Sequence, residues 1–239
     1  IIPVFAKDNE STISHYEFIQ NTKKVVEEIL DYKGVLKPEI RVSHQIKGRI
    51  PSAVGKPAKE LLEQEKTLYY ERMAFVIEVP EISEIINGNK LNLTIGGVRS
   101  YNQENLFSKK SIEKFKVFIG FQNTVCTNLV ISTDGLKQDI RVSSVLELKA
   151  KIYELINSYD KKKHLQQMNE MSNFSISETQ FAQLIGKMKL YSFLDKETKR
   201  NLFHLNINDN QINSIVKDYH LDPYFARFEN GTINFWRLY

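Results

Sequence analysis

Apolar positions in residues 14–30, "SHYEFIQNTKKVVEEIL", recur every three to four residues, with Phe18, Val25, Val26, Ile29 and Leu30 on one side of a helix. Ser14 and Glu17 stand where a capping box would open that helix, and Gly34 and Pro38 close it, so a helix is predicted over 15–30. "EIRVS" then predicts a short strand, followed by a basic loop containing Gly48, Pro51, Gly55 and Pro57. Pro57 also suits the first turn of a short helix over 57–66. The run 68–79 carries Tyr69, Met73, Phe75, Ile77 and Val79 and predicts a strand covered on both sides. Asn87-Gly88 predicts a tight hairpin, and Leu91, Leu93 and Ile95 share one face of the returning strand. Gly96 and Gly97 then predict a bulge or a close backbone approach. "FKVFIGFQ" puts Phe115, Val117, Ile119 and Phe121 on one face, with Lys114 and Lys116 on the other. Asp134-Gly135 predicts a second hairpin turn, into "LKQDIRVS".

Near residue 143 the period lengthens again. Ser144 and Glu147 predict a capped helix reaching Tyr159 or beyond. Ser175 and Glu178 predict another, carrying Phe181, Leu184, Ile185 and Met188; Asn208 and Gln211 predict a shorter one through Ile212, Ile215 and Val216. "FENGTINFWRLY" adds a turn and an aromatic end. The predicted fold class is α+β, with a mostly antiparallel sheet in the N-terminal part packed with helices and a helical C-terminal part. The expected division is 1–143 and 144–239, packed as one unit.

Composition narrows the picture without giving an activity. Of 239 residues, 41% are apolar and 26% charged, which is globular rather than disordered composition. One cysteine cannot make an internal disulfide, and no apolar run approaches the ~20 residues of a membrane-spanning helix. With no signal peptide at the start, the expected setting is cytoplasmic, with no membrane partner. A first residue other than methionine and an apolar end predict a piece of a longer chain.

Net charge is only +4, so its distribution matters more than its size. Segment 41–59 has no acidic residue and carries Arg41, Lys47, Arg49, Lys56 and Lys59. A second basic stretch runs through Arg99, Lys109, Lys110, Lys114 and Lys116. Lys161, Lys162 and Lys163 read as the end of the preceding helix, where cations meet the dipole favourably.

The tests for local chemistry are negative. The five histidines are scattered, with no HxxxH, HExxH or CxxC spacing, so no metal or other cofactor is expected. "GRIPSAVGKP" has too many residues between Gly48 and Gly55 for a phosphate loop, and Pro57 stands where a magnesium-binding hydroxyl would be needed. Cys126 has only Val125 and Thr127 beside it on a half-buried strand, with no cation or histidine to lower its pKa; it reads as a packing residue. Asn128, beside it, reads as pinning a turn or bulge. No catalytic residue is assigned, and the balance leans away from an enzyme.

Several segments carry a resemblance. "KDNESTISHYEFI", the run from "IRVSHQIKGRIPSAVGKPAKELLEQEK" through "TLYYERMAFVIEVP", "LTIGGVRSYNQENL", "EKFKVFIGFQNTVCTNL" and "FWRLY" together resemble a family of uncharacterised proteins from gut-commensal bacteria. "VCTNLVISTDG" resembles, on Cys126, Thr127 and Asn128, the "CTN" segment of a phage/plasmid-like domain of unknown function. That second resemblance implies a mobile-element setting; neither supplies a catalytic residue.

Three hypotheses result. The first is a nucleic-acid-binding accessory factor that holds single strands through Arg41, Lys47, Arg49, Lys56, Arg72, Arg99, Lys109, Lys110 and Lys114, with Tyr101 and its neighbours Tyr69, Tyr70 and Phe107 to stack on bases. The second is a protein-interaction module without catalytic activity that engages a host or phage protein. The third is an enzyme with a dispersed site. A map of the basic residues on the folded surface separates them: one continuous track favours nucleic acid, and dispersion favours ordinary solvated charge.

Overall fold

Ser14 opens α1 (His15–Ile29) with the capping box its spacing predicts. Its hydroxyl accepts from the Glu17 N–H at 3.1 Å, and the Glu17 carboxylate accepts from the Ser14 N–H at 2.8 Å. Phe18, Ile19, Thr22, Val25 and Val26 form the buried stripe, and the Thr22 hydroxyl is satisfied by donating to the Phe18 carbonyl at 2.8 Å. The computed structural model describes residues 13–31, 34–53, 55–101, 112–123, 136–202, 205, 207–221 and 231–238. Its contacts divide the chain into two units, Ile1–Lys161 and Lys162–Tyr239.

In the first unit α1 is followed by β1 (Glu39–Val42), β2 (Gln45–Arg49), β3 (Lys66–Tyr70), β4 (Arg72–Ile86), β5 (Asn89–Ser100), β6 (Glu113–Asn123), β7 (Leu136–Val142) and α2 (Val145–Ser158). Five of these strands form an antiparallel sheet in the order β1-β4-β5-β6-β7, and β2 pairs with β3. The Asn87-Gly88 turn forms as predicted: both residues have positive φ, 48° and 80°, and Ile86 faces Asn89 across it. Asp134-Gly135, Cys126 and Asn128 lie outside the described residues.

Helices α1 and α2 pack on one face of the sheet. There Phe75, Ile77 and Val79 of β4, Leu93 and Ile95 of β5 and Phe115, Val117, Ile119 and Phe121 of β6 are buried. Phe18 meets Phe75 edge-on at 5.1 Å between centroids and Phe115 at 4.7 Å. The Gly96-Gly97 pair makes no bulge, because the register through it is unbroken. It is instead a close approach on both faces. A methyl on Gly97 would strike the Phe18 ring, and one on Gly96 would strike Phe118 and the Phe75 carbonyl.

Several elements differ from expectation. The predicted helix over 57–66 is two short 3-10 turns, Ala58–Glu60 and Glu63–Glu65, joined by extended Leu61. Residues 56–60 are all exposed, so a helix there would have no apolar face to bury against the rest of the fold. The predicted basic loop begins with strand β2, whose partner β3 lies about twenty residues away in sequence. Gly48 sits within that strand because Thr67 and Tyr69 cross closely over it. The predicted strand 68–79 breaks at Glu71 and resumes as β4, which runs on to Ile86 with a register shift between Val79 and Ser83. Pro80, which has no N–H to give the ladder, lies inside that shift. Ser144 accepts from the Glu147 N–H at 3.2 Å, but the Glu147 carboxylate reaches back to Ser143 rather than Ser144. Helix α2 packs on α1 and β7, within the unit Ile1–Lys161.

The second unit contains α3 (Lys161–Met171), β8 (Ser175–Ser177), α4 (Glu178–Leu190), α5 (Lys196–Arg200), α6 (Asp209–Leu221), β9 (Thr232–Asn234) and α7 (Phe235–Leu238). Lys161–Lys163 open α3 instead of closing α2, since Tyr159 leaves the helical conformation and brings its ring to 6.5 Å from Phe121. The cap of α4 is Ser177 with Gln180, two residues after the predicted Ser175, which is held in β8 by pairing with Asn234. Asn208 and Gln211 exchange two hydrogen bonds, of 2.9 and 3.0 Å, just ahead of α6, as their spacing predicts. Phe181, Tyr219 and Ile233 form the buried centre, with Ile176, Ile185, Ile215 and Leu238 packed against it.

Candidate nucleic-acid interface

The sheet has two chemically different faces, and the pairing register sorts the cations between them. Residues opposite one another in an antiparallel ladder point to the same side. One row across the sheet reads Arg41, Ala74, Val98, Lys116 and Asp139. The next row pairs Arg72 with Ser100 and Lys114 with Arg141. These residues alternate with the buried Met73, Phe75, Phe115, Val117, Ile140 and Val142, so they occupy the face away from α1 and α2. Arg41, Arg72, Lys114 and Arg141 are exposed and Lys116 is half-buried. The two rows hold these five cations against a single carboxylate, Asp139, which lies 3.7 Å from Lys116. Four strand spacings separate Arg41 from Arg141, a track of about 19 Å.

The ribbon formed by β2 and β3 extends this face. Glu39 faces Val76, Val42 faces Met73, Gln45 faces Tyr70 and Arg49 faces Lys66, so the register is the same on both sides of the break at His44 and Glu71. Across the break the Ser43 N–H donates to the Arg72 carbonyl at 2.9 Å. Tyr69 packs on the helix side, 6.4 Å from the Tyr101 ring. Its neighbours on the other side of the ribbon are Lys47, Arg49, Lys66, Leu68 and Tyr70, and Gln45 donates to the Tyr70 hydroxyl at 3.1 Å. Lys47 is exposed and enters no ion pair among the described residues. The remaining basic residues here are partly committed. Arg49 donates to the Lys56 carbonyl, Lys56 pairs with Glu65, and Lys66 pairs with Glu63. The Glu65 carboxyl is held below its ordinary pKa by the Lys56 ammonium, helped by the Leu62 N–H.

Arg99 and Tyr101 depart from expectation, because both are buried. Arg99 is 1% exposed on the helix-covered face. Its guanidinium lies 3.2 Å from the Glu113 carboxylate, donates to the Ile13 carbonyl, and sits over the Tyr101 and Phe115 rings at 4.6 and 4.4 Å. Glu113 in turn accepts from the Ile13 N–H at 3.2 and 3.1 Å. Tyr101 stacks on His15 at 4.3 Å, and His15 Nε2 is 2.9 Å from the Tyr70 carbonyl. Burial lowers the His15 pKa to about 4; the Tyr70 carbonyl opposes that shift and the Arg99 charge adds to it. This cluster fastens the start of α1 to the sheet and offers nothing to a ligand at the surface. One place in the sequence, beside the glycine pair, hid it: Arg99 continues the buried parity of Leu93, Ile95 and Gly97.

Lys109, Lys110 and Phe107 lie outside the described residues. Arg141 was missed among the site residues, although the alternation in "KQDIRVS" sets it opposite in parity to Ile140 and Val142. Lys116, which alternation already sets opposite the core, joins the basic side, and Lys66 does so through a register that the sequence does not reveal. At the β7 edge a shallow groove of about 390 Å³ is bounded by Ile112, Arg141, Ser143, Glu147, Lys151 and Glu154. Its carboxylates are engaged, Glu147 by Ser143 and Glu154 by Lys151. No group of three or more potential metal ligands, and no helix long and apolar enough to cross a membrane, occurs among the described residues.

No curated protein and no solved structure matches this chain. Over residues 1–239 it matches the family described as "Domain of unknown function, B. Theta Gene description (DUF3871)", and it belongs to that family, as the whole-chain resemblance to uncharacterised gut-bacterial proteins led us to expect.

Proposed function

We propose that the protein binds single-stranded nucleic acid along the exposed cationic end of the sheet face that lies away from α1 and α2, and along the ribbon that prolongs it. One observation supports this reading above all. Arg41, Lys47 and Arg49 of the first basic stretch, Lys114 and Lys116 of the second, and Arg72 between them fall on one side of a continuous ladder. They come from β1, β2, β4 and β6, joined by Lys66 of β3 and Arg141 of β7, so neighbours in sequence cannot explain their meeting. A track of arginines and lysines about 19 Å wide engages several phosphates of a strand, and Tyr70 and Leu68 offer apolar surface beside it. Binding of this kind draws its free energy from counterion release and carries little sequence preference. A cytoplasmic accessory protein of a mobile element is the proposed setting, and its mobile-element part rests on the sequence resemblance alone.

Fluorescence anisotropy with a labelled single-stranded oligonucleotide tests the proposal. Affinity is expected to fall steeply between low and physiological salt, with a log–log slope of about −0.7 per phosphate neutralised. Replacing Arg72, Lys114 and Arg141 together with glutamine should flatten that slope by about two, because three phosphate contacts are removed. These side chains are exposed, so the circular dichroism spectrum and melting temperature should stay close to those of the parent. An absence of binding at micromolar protein in low salt would overturn the proposal and favour the protein-interaction module.

A further inference from the structure

The second unit carries an exposed aromatic, Phe193, in a hydrogen-bonded turn. Phe193 is 85% exposed, the most exposed of the large apolar side chains among the described residues, and Leu190 is 62% exposed one turn before it. The turn around Phe193, Tyr191–Phe193, is pinned on both sides. The Leu194 N–H donates to the Tyr191 carbonyl at 3.3 Å, the Lys199 ammonium donates to the Ser192 carbonyl at 3.0 Å, and the same ammonium lies 5.6 Å from the centre of the Tyr191 ring. Asp195 then caps α5, accepting from the Thr198 N–H at 2.8 Å. Lys187, Lys196 and Arg200, all within seven residues of Phe193 in sequence, are exposed and enter no ion pair among the described residues. Asp195 is occupied by its cap, and Glu197 is the one other acid of residues 187–200.

We infer that Phe193 is a stacking platform for a nucleobase of a single strand, with Lys187, Lys196 and Arg200 meeting the adjoining phosphates. The inference rests on the single-strand reading above and assigns the second unit a part in it. The size of the patch decides the ligand. One phenyl ring and one leucine are too little apolar surface to anchor a protein to a lipid bilayer, which takes a whole apolar helix face or an acyl chain. One ring is, however, the right size for one base, and the hydrogen bonds that hold the turn reduce the backbone ordering that stacking would cost.

The test uses the full chain in two variants. In Phe193→Trp, titration with a single-stranded oligonucleotide should quench the new indole fluorescence in a saturable, salt-sensitive way, measured against the parent's own Trp236 signal. In Phe193→Ala, affinity for the same oligonucleotide should fall about tenfold with the salt slope unchanged, since stacking releases no counterions. The Arg72/Lys114/Arg141 variant provides the contrast. If it binds more weakly while Phe193→Ala binds as the parent does, the stacking platform is refuted and the sheet face stands. If Phe193→Ala alone weakens binding, the platform stands and the sheet face falls. If the parent binds no oligonucleotide, both fail. Quenching of Phe193→Trp by vesicles rich in anionic lipid, without quenching by oligonucleotide, would overturn the inference in favour of a membrane surface.

Discussion

Arg99 shows how little a charge count says about where a charge goes. Its guanidinium and the Glu113 carboxylate are both removed from water, and each is tied to the Ile13 backbone as well as to the other. Glu113→Ala would leave a buried cation without its counter-charge and the Ile13 N–H without its acceptor. It should lower stability by about 3–5 kcal/mol, measured by urea unfolding. Replacing the pair together, Arg99→Met with Glu113→Leu, should recover part of that loss, because the uncompensated buried cation disappears while the Ile13 backbone groups stay unpaired. His15 beside them gives a pH dependence. It is neutral in the folded chain down to about pH 4, while in the unfolded chain it takes up a proton near 6.5. Its contribution is therefore complete above pH 6.5 and is lost as pH falls toward 4, amounting to at most about 2 kcal/mol by pH 5. His15→Gln should flatten the fall in urea midpoint between pH 7 and pH 5; an identical fall in both proteins would show that other groups set it.

At the scale of elements, Gly97 is a tight joint between α1 and the sheet. A Cβ there meets the Phe18 ring, which is itself wedged between Phe75 and Phe115 and has nowhere to go. Gly97→Ala should cost about 1–3 kcal/mol by forcing those rings off their rotamers. Combining it with Phe18→Leu should cost less than the sum of the two single changes, because both act on one contact; strict additivity in thermal melts would place the strain elsewhere. The sequence displayed the glycine pair and left open whether it made a bulge or a close approach, because only the facing helix decides that. Local signals were legible for the same reason: the Ser14–Glu17 box and the Asn87-Gly88 turn each depend on a few adjacent residues. Strand β2 was not legible, since its hydrogen-bond partners are in β3 and its composition reads as a loop. The basic face was half legible. Alternation within "FKVFIGFQ" set Lys114 and Lys116 apart from the core. That Arg41 and Arg72 share their side follows only from register across four strands.

For the molecule as a whole, the two units differ in how much each can stabilise itself. The first holds a five-stranded sheet with two helices on it, and its buried side chains include Phe18, Phe75, Phe115, Ile119, Leu148 and Ile152. The second is about half as long and is centred on Phe181, Tyr219 and Ile233. The fraction of surface buried on folding rises with chain length, so the shorter unit has less hydrophobic stabilisation to set against a similar entropy cost per residue. The Tyr219 hydroxyl donating to Glu178 at 2.6 Å helps tie α6 to α4, but one part-buried hydrogen bond to a carboxylate contributes only about 1.5–3 kcal/mol. A chain ending at Asp160 keeps α2, on which α1 packs, whereas one ending at residue 143 loses it. The 1–160 fragment should therefore melt cooperatively within a few degrees of the main transition of the full chain, and the 1–143 fragment should not. The 161–239 fragment should melt lower and more broadly than either the full chain or 1–160. Differential scanning calorimetry of the three fragments reads this directly. A cooperative melt of 1–143 matching that of 1–160 would show that the sheet holds α1 without α2 and that the boundary belongs at the earlier position.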